Sequence, residues 1–321
     1  MAQMSDAIGL IMEGRCGEDQ IAEFLAALHR KGETVAEVAG AAAAMRQRMT
    51  RLRTSRPEVI DLVGTGGDRS GTFNISTAAA LVTAAAGMPV AKHGNRAVTS
   101  RSGASDVLAA LGVHIGADVA CVERCLDELG ICFCFAPLHH QAMKHVAPVR
   151  QRLGTPTIFN ILGPLCNPAG APLQLIGVGR PELRPLLAEA LRLLGTRRAM
   201  VVHGTDGLDE VTLGAATDVT ETTSAGLREF SWTAADFDLP PAPREALLID
   251  GPQQSAEIIR EIFRGRRGPP RDVVVANAAV ALWTADHGPT LAACAELAAE
   301  AIDSGAAADL LARLAERSWG R

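Results

Sequence analysis

The chain has 321 residues, 48% of them apolar, so it is long enough to bury a sizeable core and to form two subdomains. Its formal net charge of -5 argues against a general nucleic-acid-binding protein, because such proteins carry a basic surface. No apolar run is long enough to span a membrane, and residues 1–7 lack the basic and apolar regions of a secretory signal. We therefore expect a cytoplasmic protein without membrane or nucleic-acid partners.

The N-terminal part, residues 1 to about 53, is predicted to be helical. An apolar stripe at helical spacing is formed by Ile21, Phe24, Leu25 and Leu28. Thr34 followed by Glu37 predicts a capping box at the start of a later helix. Residues 51–57 are polar and predict a connector to the next part of the chain.

Beyond this connector, strands and helices alternate, which is typical of a largely parallel sheet. The predicted strands lie at 58–63, 88–91, 131–135, 173–178 and 200–202. One predicted helix begins at Ser76, and four others span 103–111, 119–129, 140–150 and 181–194. We expect a small antiparallel segment at 217–231, a proline-containing loop at 233–247 and helices in the remainder. The predicted fold class is α/β, with a mostly parallel central sheet, flanking helices and a smaller all-helical N-terminal domain.

Two loops contain most of the groups that could bind an anion. GTGGDRSGTFNIST (residues 64–77) follows the first predicted strand, and KHGNRAVTSRSGASD (residues 92–106) follows the second. Glycine-rich backbone between a strand and a helix exposes N–H groups that bind phosphate. The carboxyl ends of parallel strands meet at one edge of a sheet, so Lys92 is expected to lie near the first loop. An isolated GxGG loop is more often a simple tight turn, so the prediction depends on this combination.

Asp209 and Glu210 are adjacent carboxylates in a glycine-containing loop that follows the apolar stretch Ala199 to Val202. Such pairs are usually part of a solvated surface, because acidic side chains are mostly exposed. Magnesium, however, prefers a few carboxylates together with substrate phosphates and water. A diphosphate-binding loop nearby would therefore give this pair a function.

The seven cysteines are an odd number in a chain of this size, which fits a reducing compartment better than a disulfide framework. Their spacing is not that of a structural zinc motif, so we interpret them as small buried side chains.

Taken together, GTGGD, TFNIST and KHGNR resemble the anthranilate phosphoribosyltransferase family. The resemblance continues through HHQAMKHVAPVRQRLG (residues 139–154), TIFNILGPLCNP (residues 157–168) and HGTDGLDE (residues 203–210). It extends over nearly the whole chain, including the helical opening and the closing helices. It implies a helical domain at 1–55, joined by part of 155–180, and an α/β catalytic domain at 56–321.

The resemblance also implies the residues of the site. The donor, 5-phosphoribosyl 1-diphosphate (PRPP), would be bound by Gly64, Thr65, Gly66, Gly67, Asp68, Thr72, Asn74, Ile75, Ser76, Thr77, Lys92, His93, Gly94, Asn95, Arg96, Ala97, Val98, Thr99, Ser100 and Ala104. Anthranilate would be bound by Gly64, Asn95 and Arg150, and Mg²⁺ by Ser76, Asp209 and Glu210.

The reaction implied is magnesium-dependent transfer of the phosphoribosyl group to the amine of anthranilate, with release of diphosphate, in tryptophan biosynthesis. The family also implies a homodimer. Four departures concern the site: Arg69 replaces a usual glycine, Thr99 a usual serine with the hydroxyl kept, Gln141 a usual proline, and Pro156 a usual basic residue. Two alternatives remain, a nucleoside phosphorylase of the same fold and a non-catalytic nucleic-acid-binding relative.

Overall fold

The computed structural model describes residues 1–67, 70–96 and 102–320. The strands are β1 (Ile60–Gly64), β2 (Val90–Gly94), β3 (Ile131–Phe135), β4 (Leu173–Gly177), β5 (Arg198–Gly204), β6 (Thr217–Thr223) and β7 (Gly226–Trp232). The helices of the first half are α1 (Ala2–Met12), α2 (Glu18–Lys31), α3 (Val35–Arg48), α4 (Ile75–Ala85), α5 (Ala104–Ala110), α6 (Val119–Leu129), α7 (Ala136–His139), α8 (Ala147–Leu153) and α9 (Phe159–Leu162). Those of the second half are α10 (Leu183–Leu193), α11 (Pro252–Phe263), α12 (Pro269–Thr284), α13 (Leu291–Asp303) and α14 (Ala306–Ser318). Within the described ranges, none of these helices combines the length and the apolar composition needed to cross a bilayer.

The seven strands form one sheet in the order β3-β2-β1-β4-β5-β6-β7. The first five strands in this order pair in parallel, whereas β6 and β7 are antiparallel, which confirms the predicted mostly parallel α/β sheet and the antiparallel segment. The chain moves outward from β1 to β3 and then returns to β4 on the other side of β1. The strand order therefore reverses between β1 and β4, and ligands of open α/β sheets bind at such a point.

Two apolar clusters form the core. The first joins the sheet to α4–α6 and α11–α14. The second joins α1–α3 to α10, to residues of the segment 146–166 and to one face of β4 and β5. This second cluster is the reason why we propose that part of 155–180 belongs to the helical domain. All cysteines except Cys16 are buried, as their interpretation as small core side chains predicts.

The segment predicted as one helix over 140–150 is not a continuous helix. It contains a 3₁₀ turn at Gln141–His145 and the start of α8, and the short helix α7 ends just before it at His139. His140 has non-helical torsions, with φ -112° and ψ 53°. Pro148 lies in the first turn of α8, where its missing N–H costs nothing, but a proline cannot lie inside a continuous helix. The break turns the chain and places His140 next to β2.

Candidate active site

The site predicted from the sequence lies at the reversal point between β1 and β4. Gly64 and Gly177 are paired neighbours at the carboxyl ends of these strands. A Cβ added to Gly64 would lie 2.9 Å from Asp209 Oδ2, and one added to Gly177 would overlap the backbone carbonyl of Asp209. Gly177 is therefore needed for the close approach of the loop backbone that carries Asp209 and Glu210, whereas Gly64 leaves room for the Asp209 carboxylate itself.

That loop, residues 205–216, is stabilised by its own hydrogen bonds. The Gly204 N–H donates to Leu208 O at 2.8 Å. One carboxylate oxygen of Asp206 accepts from the Leu208 N–H at 3.3 Å, and the other accepts from the Thr212 hydroxyl at 2.7 Å. The loop thus presents its carboxylate pair from a defined backbone conformation.

Lys92 lies inside β2 rather than after it, because the strand extends beyond its predicted end at residue 91. The side chain is only 3% exposed, and Nζ donates to Leu62 O at 2.6 Å and to Ser76 Oγ at 3.2 Å. Burial lowers the pKa of Lys92, and the carboxylates of Asp61 and Glu210 oppose this. Lys92 therefore contacts the helix that carries Ser76 and also interacts electrostatically with Glu210 of the carboxylate loop.

Asp61, which the sequence reasoning missed, is fully buried in the middle of β1. Its carboxylate accepts from the His93 N–H at 3.0 Å and from Asn167 Nδ2 at 2.7 Å. Burial raises the pKa of Asp61 to about 6, although both hydrogen bonds and the charge of Lys92 act in the opposite direction. A carboxylate inside an otherwise apolar strand was the signal that could have identified it.

His93 and His140 form a buried imidazole pair behind this site. His93 Nδ1 donates to Gly163 O at 3.1 Å, and the Nε2 atoms of the two rings are 3.2 Å apart. Burial lowers the pKa of His93 to about 3 and that of His140 to about 4. Both rings are therefore neutral near pH 7. Because Nδ1 of His93 carries its proton, His140 Nε2 is the donor in the pair.

This pair should make the protein sensitive to acid. Below pH 6.5 His140 takes up a proton in the unfolded chain but not in the folded chain, so stability falls as the pH falls towards about 4. Between pH 7.5 and pH 5 we expect His140 to remove about 2 kcal/mol from the free energy of unfolding. Asp61 acts in the opposite direction, because its folded form holds a proton below about pH 6 while its unfolded form does not.

Urea unfolding of the wild-type chain and of His140→Gln at both pH values isolates the contribution of His140. The glutamine amide can still donate to His93. The decrease in the free energy of unfolding from pH 7.5 to pH 5 should be smaller in the variant by the contribution of His140. An equal decrease in the free energy of unfolding in both proteins would show that His140 does not cause the acid sensitivity.

The N-terminus of α4 carries the polar residues that follow the glycine loop. Asn74 Oδ1 accepts from the Thr77 N–H at 3.0 Å and from the Ser76 hydroxyl at 3.3 Å. Asn74 Nδ2 donates to Ser102 O at 2.9 Å, which ties this helix start to the chain just before α5. The predicted PRPP-binding residues Asn74, Ile75, Ser76 and Thr77 are thus held at the positive end of a helix dipole, and Thr72 lies two residues before the N-cap Asn74.

Other predicted residues lie along the same edge of the sheet. Thr65 N donates to Gly177 O at 2.9 Å, and Gly66 and Gly67 have positive φ angles of 65° and 86°. Gly94 ends β2, Asn95 and Arg96 follow it, and Ala104 begins α5. A Cβ on Gly94 would lie 3.1 Å from that of Ala104, so these two segments approach closely. The predicted residues Asp68, Ala97, Val98, Thr99 and Ser100, and also Arg69, lie outside the described residues.

Arg150, the predicted anthranilate-binding residue, lies in α8 and is half-buried. One of its Nη atoms donates to Asn160 Oδ1 at 3.3 Å, and the same oxygen accepts from the Thr157 N–H at 2.9 Å. Asn160 belongs to α9, which leads directly to Gly163, the partner of His93. The connection from Arg150 to His93 of β2 is therefore indirect and passes through this turn.

The donor set at the reversal point fits a hard cation. Asp209 lies against Gly64, Glu210 acts electrostatically on Lys92, and Lys92 contacts the hydroxyl of Ser76. Across residues 1–67, 70–96 and 102–320, no three His, Cys, Asp or Glu side chains form a metal-binding group by themselves. A metal held by the carboxylate pair would take its other ligands from water, substrate phosphate or a hydroxyl, and the Ser76 hydroxyl is a suitable donor. Oxygen donors of this kind suit Mg²⁺.

Comparison with known proteins agrees with this geometry. Residues 1–49 match the family model described as "Glycosyl transferase family, helical bundle domain", and residues 56–308 match "Glycosyl transferase family, a/b domain". The anthranilate phosphoribosyltransferase of Rhodospirillum rubrum is 54% identical over 313 residues, which cover 98% of this chain and 90% of the relative.

Solved structures show the same similarity. The anthranilate phosphoribosyltransferase of Thermus thermophilus is 42% identical, with a TM-score of 0.93 over 98% of this chain and 94% of that one. The Saccharomyces cerevisiae enzyme in complex with PRPP and Mg is 29% identical, with a TM-score of 0.91 over 100% of this chain and 93% of that one. A second structure of the yeast enzyme contains 4-fluoroanthranilate and has a TM-score of 0.89, with 27% identity over the same shares of the two chains. This chain belongs to the anthranilate phosphoribosyltransferase family.

Proposed function

We propose that the chain transfers the 5-phosphoribosyl group of PRPP to the amine of anthranilate and releases diphosphate, as a step of tryptophan biosynthesis. The observation that carries the proposal is the meeting of three groups at one sheet edge. The start of α4, the buried ammonium of Lys92 and the loop with Asp209 and Glu210 converge beside Gly64.

On the donor side, the phosphates would lie against the glycine loop and the N-terminus of α4, where backbone N–H groups and the helix dipole favour negative charge. Lys92 is already oriented by Leu62 O and Ser76 Oγ, so little reorganisation is needed when charge develops on the departing diphosphate. Binding of PRPP by the other residues predicted from the sequence stays a prediction.

Magnesium would be held by Ser76, Asp209 and Glu210. Its chemistry at this position is neutralisation of the negative charge on the leaving diphosphate. The structure of the yeast relative contains PRPP and Mg, which supports the proposal for this chain.

On the acceptor side, Arg150 would bind the carboxylate of anthranilate, and Gly64 and Asn95 would contact its ring and amine. A planar guanidinium suits bidentate recognition of a carboxylate. The aryl amine is neutral near pH 7, so it needs no strong base before attack. The low pKa values of His93 and His140 accord with this, because rings of such low basicity are poor proton acceptors near pH 7.

The test of this function is the loss of anthranilate fluorescence when purified protein is mixed with PRPP and Mg²⁺. We expect magnesium-dependent loss of fluorescence together with release of diphosphate. Fluorescence that stays constant at high enzyme concentration would contradict the proposed acceptor. Phosphorolysis of a nucleoside by the same protein would favour the alternative phosphorylase.

Arg150→Lys should raise the KM for anthranilate by about tenfold or more while the KM for PRPP stays nearly unchanged. Lysine keeps the charge but loses the planar pair of donors, and a lost charge-assisted hydrogen bond of about 1.5–3 kcal/mol corresponds to such a change. The measurement is a pair of Michaelis curves, one for each substrate. Arg152→Lys, two residues further along α8, is the matched control, because Arg152 pairs with Glu18 and Asp19 on the surface.

Two broader expectations stay predictions: that the protein is a homodimer and that it acts in the cytoplasm. Light scattering of the purified chain measures the first.

A further inference from the structure

Asn277 is a fully buried amide in the middle of α12, and both polar atoms of its side chain are hydrogen-bonded. Oδ1 accepts from the Val211 N–H at 3.0 Å, and Nδ2 donates to Val211 O at 2.9 Å. Nδ2 also donates to Val273 O, one turn earlier in the helix, at 2.9 Å. The side chain therefore binds both backbone groups of a single residue in another part of the chain.

That residue, Val211, directly follows Glu210 and is itself fully buried. Two positions earlier in the loop, the backbone carbonyl of Asp209 lies against Gly177 of β4. The two carboxylate-bearing residues are thus held between a glycine of the sheet and an asparagine of a helix. Because both contacts involve backbone atoms, they determine the position of the loop without engaging the carboxylate groups themselves.

Helix α12 also packs against α4, whose first turn carries Ser76. A single helix therefore contacts both parts of the chain that supply the proposed metal ligands. A shift of α12 relative to the loop would change the separation between Ser76 and the carboxylate pair.

The surroundings of Asn277 give no simpler reason for an amide at this position. Its neighbours in α12 are apolar and buried, and an amide in such a place is costly unless it is hydrogen-bonded. Thr284 on the same helix is also fully buried, but its hydroxyl donates to Val280 O within the helix at 2.7 Å. Asn277 differs from it because two of its hydrogen bonds leave the helix and reach the carboxylate loop.

We propose that Asn277 is a positioning residue that holds Asp209 and Glu210 in the geometry required for metal binding. This inference rests on the proposed function, in which these carboxylates hold Mg²⁺. In this role Asn277 would not contact the substrate. It would keep the carboxylates of Asp209 and Glu210 at the right distance from Ser76.

The test compares Asn277→Asp and Asn277→Leu with the wild-type chain and with Thr284→Val as matched control. Asn277→Asp keeps the acceptor for the Val211 N–H but loses both donors, whereas the leucine of similar volume loses all three hydrogen bonds. Mn²⁺ binding is measured from the electron paramagnetic resonance of free Mn²⁺ in the presence of PRPP without anthranilate. Steady-state kinetics at varied Mg²⁺ concentration and thermal unfolding are measured on the same samples.

We expect both Asn277 variants to bind Mn²⁺ about 10–100-fold more weakly, because residues that orient metal ligands typically contribute this factor. Thr284→Val should bind Mn²⁺ as the wild-type chain does, even if its melting temperature falls. Unchanged Mn²⁺ affinity in folded Asn277 variants, or an equal loss in Thr284→Val, would overturn the inference. A wild-type chain that consumes no anthranilate and binds no Mn²⁺ would overturn the proposed function, and the inference with it.

If neither Asn277 variant folds, hydrogen–deuterium exchange of the wild-type chain replaces the comparison. The Val211 amide should exchange as slowly as the amides of β5, because it is buried and bonded to Asn277. Exchange at the rate of an exposed loop amide would overturn the inference.

Discussion

The double substitution Asp209→Asn/Glu210→Gln is expected to lower kcat/KM by about 10³-fold, because neutral amides bind magnesium far more weakly than carboxylates. Metal ions contribute several kcal/mol of charge stabilisation in such reactions, and about 1.4 kcal/mol corresponds to a tenfold change in rate. The loop itself should remain folded, since the hydrogen bonds of Asp206 and of the loop backbone stay in place. The measurement is the anthranilate fluorescence assay at several Mg²⁺ concentrations.

Glu18→Gln/Asp19→Asn provides a control with the same loss of charge. These adjacent carboxylates lie in the first turn of α2, where their side chains are 62% and 92% exposed. The control should keep its kcat/KM and its magnesium dependence. If the Asp209/Glu210 variant keeps the wild-type magnesium dependence, the metal is held by other residues.

Lys92→Met is expected to lower kcat by about 10²–10³-fold, the usual effect of removing one preorganised group that stabilises transition-state charge. Methionine fills a similar space, but it removes the ammonium that contacts Leu62 O and Ser76 Oγ. Stability should also fall, because the buried carboxylate of Asp61 loses a neighbouring positive charge. Single-turnover measurement with saturating PRPP separates the chemical step from donor binding.

Two further variants make this result specific. Lys31→Met removes a lysine whose side chain is 50% exposed and paired with Glu37, so the rate should not change. Lys92→Arg should not restore activity, because a guanidinium is larger than the space around a side chain that is 3% exposed. A kcat within about threefold of the wild-type value in Lys92→Met would exclude the proposed role of this lysine, since the expected loss is far larger.

Local patterns in the sequence were sufficient for most of the secondary structure. Helix α6 and strand β3 have the predicted bounds, 119–129 and 131–135, because the first has helical apolar periodicity and the second is a short continuous apolar run. Thr34 and Glu37 form the predicted capping box, with the Glu37 carboxylate accepting from the Thr34 N–H at 2.9 Å. Such features depend on residues a few positions apart, so they can be predicted without knowledge of the fold.

The fold class could be predicted from the alternation of strands and helices, and the family and the two loops of the candidate site from short motifs in a fixed order. The contacts by which Asp61, Gly177 and Asn277 support that site became visible in the folded structure alone. Asp61 binds Asn167, Gly177 makes room for the Asp209 carbonyl, and Asn277 binds Val211, which is 66 positions away in the chain. No local pattern specifies such contacts, because the partners meet only after the sheet has formed and α12 has packed against α4.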